Sequence, residues 1–341
     1  MSIPNYLTIA AAALTLVSCS APQNAYRKNA GFIFGTTYAL TYKCDSDLEQ
    51  KVLARLRCYD ASLSVYNPQS LLCQLNEGDS IVADSMLLHV VSEAKRFNAI
   101  SHGAFDITVE PLSRHWRFTR DLEDDTITVA QWESLMNGLD TIMPLIGIDK
   151  VSIDGNVIRK ADPRMKINAN ALAEGFGIDV AASVLDEAGV TDYMVELGGE
   201  IHCKGLNPKG NKWRVGIDRP VEGGIAGRQN QHIIELTDCA VSTSGSYRQC
   251  YHVEDGRTVQ HTIDPRTGMP VAHKMRSVTV VGPNTMTTDA LCTSLMVLGP
   301  DSALNLVRDM PGIEAYIIYD DAEGDLAEDM TPGFRAIIAD K

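Results

Sequence analysis

At residues 261–268 the chain reads His-Thr-Ile-Asp-Pro-Arg-Thr-Gly. An imidazole, a carboxylate, a guanidinium and a hydroxyl fall within one short segment. Asp264-Pro265 and Thr267-Gly268 are turn chemistry: proline fixes φ and glycine permits φ > 0. A rigid loop of this kind aims polar groups, and binding and catalytic residues concentrate on such loops. The same residues also suit a tight hairpin connection with solvated charges. Two further constellations could do chemistry. Asp289 and Thr293 are four apart in a helical pattern and therefore share a face. A carboxylate and a hydroxyl so placed suit a hard cation such as Mg²⁺, which takes oxygen ligands. The alternative is a Thr bonding its own i−4 carbonyl beside an exposed Asp. Ser242 to Tyr247 is expected to be a hydroxyl-rich loop after a strand, able to donate to phosphate or to serve as an ordinary polar turn.

The common cradles are missing. There is no G-x-G-x-x-G, no P-loop and no G-x-S-x-G elbow. The formal net charge is −14, and because a nucleic-acid-binding surface is usually basic, a nucleic-acid partner is not expected. An anionic ligand would have to be held against this field by a local device, such as a helix N-terminus or a bound cation.

The elements that must position these groups follow from pattern. Gly31 to Tyr42 reads as a strand interrupted at Gly35. Apolar residues at 48, 52, 56, 59 and 63 predict a helix over Asp45 to Leu63. Asp84 suits the N-cap of a helix carrying Met86 to Phe97. Ser101 to Asp106 is a loop, with His102 a loop residue rather than a ligand. Asp121 to Asp125 is an acidic, solvated stretch, and Val129 to Gly138 a short helix. Asp154-Gly155-Asn156 turns a hairpin over 151–158. A helix introduced by the small residues of Lys166 to Asp179 runs to about Ala188 and stops at Gly189. Strands follow near 193–197, 213–217, 232–236 and 249–252, and Gly198-Gly199 marks a close backbone approach. Arg276 to Val281 is a strand; Asn284 to Leu298 is a helix capped at Asn284 or Thr285 and stopped at Gly299. A helix near 303–308 and strands near 314–319 and 334–339 complete the chain. Strands outnumber helices without regular β-helix-β units, which predicts an α+β fold with mixed or antiparallel sheets and packed helices.

The whole chain sets the compartment. With 341 residues, 45% hydrophobic and 22% charged, it can bury a large core. Leu7 to Val17 is an apolar run of signal-peptide length, too short to span a bilayer. It ends in Leu16-Val17-Ser18-Cys19, similar to a bacterial lipobox, although Met1 to Tyr6 carries no Lys or Arg. The expected organisation is a signal peptide over 1–18, a lipidated Cys19, a tether over 19–30 and one domain over 31–341. A cleaved, non-lipid signal is the alternative. The product would be exported and anchored to a bacterial membrane, facing the periplasm. Of eight cysteines, removing Cys19 leaves seven with no C-x-x-C. That pattern is neither a disulfide framework nor a zinc site, and most are expected to be buried small hydrophobes.

Taken in order, Gly35-Thr36, Ser64-Val65-Tyr66, Gly103 to Asp106, Asn168 with Ala173-Glu174-Gly175 and Asp179, Leu197 to Glu200, Val241 to Gly245, His261 with Asp264 to Gly268, and Asp289 with Thr293 resemble the ApbE-type FAD:protein FMN transferases in their lipoprotein form. The resemblance covers about residues 31 to 300. It implies an ApbE-like, T-fold-like arrangement of two intimate lobes with the flavin site between them. It implies an Mg²⁺-dependent enzyme that moves FMN from FAD to a Thr or Ser hydroxyl of a partner protein through a phosphoester, releasing AMP. The implied acceptor is a flavoprotein subunit of an Rnf- or Nqr-type redox complex with a Ser/Thr-Gly-Ala-Thr-like motif. Residue by residue, the FAD contacts fall on Phe34 (Met in most of the family), Tyr66, Ala104, Phe105, Asp106, Asn168, Glu174 and Ile263. The Mg²⁺ positions fall on the Ala171 carbonyl, Asp289 and Thr293, and the general base on His261. Two departures stand out: Asn168 where the family usually has Asp, and Glu174 where it usually has Lys. An amide still donates and accepts. The Lys-to-Glu exchange reverses a charge, unless that side chain points away on the helix surface.

The expected chemistry is consistent with the charge balance. A divalent ion would neutralise the pyrophosphate and hold the nucleotide in place of a basic patch. The acceptor hydroxyl needs a base, and an imidazole suits that role near neutral pH. Asp264 either orients His261 or caps the turn. Tyr66 and Phe105 either pack on the isoalloxazine ring or belong to the core. Two other readings use the same residues: an FAD pyrophosphatase with water as acceptor, and a non-catalytic FAD-binding lipoprotein.

Overall fold

The computed structural model describes residues 25–118, 126–220, 230–246 and 250–339. Its centre is an eight-stranded sheet, antiparallel at every pairing. In chain order the strands are β1 (Tyr26–Ile33), β2 (Thr36–Lys43), β3 (Tyr193–Leu197), β4 (Glu200–Lys204), β5 (Trp213–Asp218), β6 (Asn230–Leu236), β7 (Cys239–Gly245), β8 (Met275–Gly282), β9 (Glu314–Asp320) and β10 (Leu326–Met330). The large sheet runs β1-β2-β3-β4-β7-β8-β9-β10, and β5 and β6 pair as a separate hairpin. Four helices matter to the site: α1 (Glu49–Leu63), α2 (Ser85–Ile100), α3 (Asn170–Glu187) and α4 (Thr285–Leu298). Two small three-stranded sheets complete the fold, which is the expected α+β class.

Strand alternation puts a different partner on each face of the sheet. On β9, Ala315 and Ile317 belong to the helical core, while Tyr316 and Ile318 belong to a cluster with Trp213, Ile217, Ile234 and Phe334. The sheet therefore separates a helical layer from the β5–β6 hairpin. The α1 stripe at 48, 52, 56, 59 and 63 is buried throughout. Helix α4 is buried on nearly every side, the mark of a central helix. Its ends are those the sequence predicts: the Asn284 side chain accepts from Thr287 N–H at 2.9 Å, and Gly299 stops it at φ 76°.

Helices α3 and α4 cross closely because Gly175 has no side chain. A Cβ there would lie 2.4 Å from the Thr285 carbonyl oxygen and 2.9 Å from Asp289 Cβ. Asp179, one turn further along α3, accepts from Thr285 and Met286 N–H at 2.8 and 2.9 Å. It thus satisfies two of the orphan donors at the α4 N-terminus. His202 on β4 holds the same carboxylate at 2.9 Å.

Several expectations change. Gly31 to Tyr42 is a hairpin, not one interrupted strand: Phe34 (φ 55°) and Gly35 (φ 79°) form its two-residue turn, the conformation that matches the twist of paired strands. Because β1 starts at Tyr26, residues 26–30 belong to the sheet and not to the tether. The expected loop from Ser242 is strand through Gly245, paired with β8; Tyr247 lies outside the described residues. The expected strand at 334–339 is a helix over Pro332–Ile337, because proline at the first helical position is pre-set for helix. The sheet also carries an edge strand, β10, that no sequence pattern signals. The signal, Cys19 and Asp121 to Asp125 lie outside the described residues. No helix among those described is long and apolar enough to cross a membrane.

Candidate active site

The turn at 261–268 is rigidly framed. Asp264 C=O accepts from Gly268 N–H at 2.8 Å, and Asp264 N–H donates to Met269 C=O at 2.8 Å. The fully buried Trp116 donates its indole N–H to Gly268 C=O at 2.7 Å. Gly268 sits at φ 74°, and a Cβ would meet Met143 Sδ at 2.5 Å. The Asp264 carboxylate caps the turn: its two oxygens take Arg266 Nε and Nη2 at 2.8 and 2.7 Å and also Arg266 N–H. It braces the turn.

The turn delivers His261 to a cavity of about 1260 Å³, above the ~300–1,000 Å³ usual for small-molecule sites. A second cavity of about 200 Å³ adjoins it. Five residues line both: Ala171, Ser244, Gly245, His261 and Thr293. They come from α3, the end of β7, the turn and α4. The candidate base and two of the three expected metal positions therefore meet at one neck.

The third, Asp289, lies on the large-cavity side. Its Oδ2 accepts from Gly175 N–H at 3.0 Å, an interaction that exists only because α3 and α4 touch at glycine. Asp289, Glu174 and Glu200 all line this wall. Burial pushes Asp289 and Glu200 well above the carboxylate range, followed by the negative charge of Glu174 on Asp289 and of Asp289 and Glu174 on Glu200. Burial also raises Glu174, which is exposed to the cavity but enclosed by protein. Glu200 Oε2 is buried with no hydrogen-bond partner. An oxygen-rich wall with an orphaned carboxylate oxygen suits a hard divalent cation. Among the described residues no three His, Cys, Asp or Glu converge as a complete metal site. The Thr293 hydroxyl, the Ala171 carbonyl and ligand phosphate oxygens would have to complete the shell.

The expected FAD positions divide into two groups. Phe34, Tyr66 and Glu174 line the large cavity; Ala104, Phe105, Asp106, Asn168 and Ile263 line the small one. Tyr66 is 76% exposed and free to receive a ring. Phe105 is core: it is 1% exposed and meets Phe97 edge-on at 6.1 Å. A ring so packed has no open face for stacking, so this segment can offer a ligand little beyond backbone. The Asp106 carboxylate is saturated. Oδ1 accepts from Thr108 N–H and hydroxyl at 2.8 and 2.6 Å, and Oδ2 from Ile148 N–H at 2.9 Å and Asn98 Nδ2 at 3.3 Å. Burial holds its pKa up despite these bonds. Its work is to fix the loop wall. Asn168 spends its amide similarly: Nδ2 donates to Glu110 Oε2 at 2.9 Å, and Oδ1 accepts from Asn170 N–H at 3.1 Å. Donation to a carboxylate is open to an amide and closed to an aspartate. Asn168 therefore matches Glu110, a residue the sequence reading did not single out. Glu174 does not point away from the site; the reversed charge faces the cavity.

Sequence reasoning also missed Glu200 as a site group, although Gly198-Gly199-Glu200 was visible. Ser277, whose buried hydroxyl has no partner and which lines the large cavity, carried no local signal.

A model described as the ApbE family matches residues 34–317. The FAD:protein FMN transferase of Vibrio cholerae is 35% identical over 309 residues, 88% of this chain and 89% of its own. The crystal structure of the flavin transferase ApbE from Vibrio cholerae has a TM-score of 0.79 at 32% identity, covering 92% of this chain and 99% of its own. That of the Pseudomonas stutzeri flavinyl transferase ApbE, in its apo form, has a TM-score of 0.78 at 31% identity, covering 94% and 99%. With its fold, motifs and cavity neck in agreement, the chain belongs to the ApbE family.

Proposed function

We propose that the protein is an FAD:protein FMN transferase that moves FMN from FAD to a Thr or Ser hydroxyl of an acceptor protein through a phosphoester, releasing AMP. The observation that carries the reading is the neck. One imidazole and two candidate oxygen ligands sit where a large and a small cavity join, with Asp289 beside them. A dinucleotide spanning both cavities would place its pyrophosphate there. Mg²⁺, held by Asp289, Thr293 and the Ala171 carbonyl, would neutralise that pyrophosphate and stabilise the leaving phosphate.

The chain's own residues do the rest. His261 accepts the proton of the acceptor hydroxyl as it attacks phosphorus. The turn braced by Asp264, Arg266 and Trp116 keeps the ring at the neck. Tyr66 offers an exposed ring at the large cavity.

One incubation tests this. Purified protein is mixed with FAD, Mg²⁺ and a domain carrying a Ser/Thr-Gly-Ala-Thr-like acceptor, and the products are read by mass spectrometry. The acceptor should gain the mass of one FMN residue. Free FMN and AMP with unmodified acceptor would make it a pyrophosphatase, and intact FAD would make it a binder.

The acceptor we infer is a flavoprotein subunit of an Rnf- or Nqr-type complex. The protein itself we place outside the cytoplasm, anchored through a lipid on Cys19. Cys19→Ser should move it from the membrane to the soluble fraction; retention on the membrane would sink the anchor.

A further inference from the structure

Cys203 and Cys239 are 36 residues apart in sequence and directly opposite in space. Cys203 on β4 and Cys239 on β7 are register partners in an antiparallel pair. Directly opposed residues in such a pair have Cα atoms ~4.5 or ~5.5 Å apart, and a disulfide accepts ~4.4–6.8 Å. Both side chains lie on one face of the sheet, in the cluster around Trp213 and Ile217. The Cys203 thiol lies 3.4 Å from the Cys239 carbonyl oxygen.

We propose that Cys203 and Cys239 form a cross-strand disulfide when the protein meets a disulfide oxidant. The bond would close residues 203–239 into a covalent loop. That loop contains β5 and β6 whole, and β5 supplies Arg214 to Asp218 to the cavity wall. The cross-link therefore straps the hairpin that forms this wall onto the central sheet. The site is independent of the transfer reaction.

The two sulfurs are unequal, which orders the steps. Cys203 is fully buried; Cys239 is partly exposed. Hydrogen bonding from the Cys203 thiol depresses the Cys239 pKa, while the same contact and burial raise that of Cys203. The Cys239 thiolate attacks an external disulfide RSSR and expels RS⁻. The Cys203 sulfur then attacks Cys239 in the mixed disulfide and expels the second RS⁻. Two protein thiols lose two electrons and two protons in total, and two RSH form.

The test uses the full protein treated with oxidised glutathione or with a reductant, then alkylated and digested with trypsin without reduction. Cleavage at Lys166, Lys204, Arg228 and Arg248 puts Cys203 and Cys239 in separate peptides that hold no other cysteine. The oxidised sample should contain these two peptides disulfide-linked, and its Tm should be higher by about 5–10 °C, as expected for closing a loop of this length. Cys239→Ser should abolish both effects while folding normally by circular dichroism. Absence of the linked peptides from oxidised, folded wild-type protein overturns the proposal, as does a lower Tm in the linked form. Wild-type protein alone decides the matter should the variant fail to fold.

Discussion

At the residue scale, the site separates groups that do chemistry from groups that hold them. His261 and Asp264 are three apart in one turn, yet the carboxylate braces Arg266 and the imidazole goes to the neck. Replacing His261 with Ala should leave FAD binding intact and slow FMN transfer by about 10²–10⁴-fold, the usual worth of a general base. Normal transfer in that variant, measured by acceptor flavin fluorescence, would remove His261 from the role. Lys160 gives a test in stability. It is 3% exposed and donates to the carbonyls of Asn76, Pro163 and Met165, so it ties down the segment that leads to Asn168. Burial lowers its pKa from 10.5 to about 8. A lysine lowered on folding releases its proton more readily folded than unfolded. Its destabilising term is therefore present below pH 8 and fades as pH rises from about 8 towards 10.5. The gain in unfolding free energy over that window should be smaller in Lys160→Met than in wild type. Equal pH slopes in the two urea titrations would show that the three carbonyls keep the ammonium charged.

At the element scale, the α3–α4 crossing sets the carboxylate-lined wall of the large cavity. Gly175 admits the close approach, its N–H holds Asp289, and Asp179 caps α4 from the side. Gly175→Ala would place a methyl 2.4 Å from the Thr285 carbonyl. The helices must separate, and the change should cost about 1–3 kcal/mol, the usual penalty of overpacking, with Asp289 displaced from its place beside the neck. Thermal melts and Mg²⁺ titration of activity report the two effects separately; a neutral result in both would refute the crossing argument. Asp179→Ala removes two cap hydrogen bonds and the His202 contact, and unfolding by denaturant should register about 1–2 kcal/mol.

At the scale of the molecule, the charge balance decides how a dinucleotide is held. The chain carries a net −14, and the large cavity is lined by Asp60, Glu196 and Asp218, besides the raised carboxyls of Glu174, Glu200 and Asp289, against Arg214. Such a wall repels a pyrophosphate unless a cation intervenes. Chelating divalent ions should weaken FAD binding at least about tenfold, and added Mg²⁺ should restore it; equal affinity in calorimetry with and without chelator would contradict this. Much of the architecture was legible in the chain alone. The buried stripe of α1, the Asp84 and Asn284 caps and the stop at Gly299 all follow from local periodicity and capping chemistry. The failures share a cause. Leu326–Met330 has no alternating apolar pattern because it is an exposed edge strand, and the short apolar run Ala336 to Ala339 reads like a buried strand, although the proline at 332 and packing make Pro332–Ile337 a helix. For the site, residue type and spacing determined the turn at 261–268 and the shared face of Asp289 and Thr293, while the family came from the resemblance of the ordered motifs. Tertiary structure alone decided that the Asp106 and Asn168 side chains are consumed by the frame, that Phe105 is core, that Glu174 faces the cavity and that Cys203 meets Cys239. Each of those depends on what stands opposite a side chain across tens or hundreds of residues, and local sequence holds no term for that.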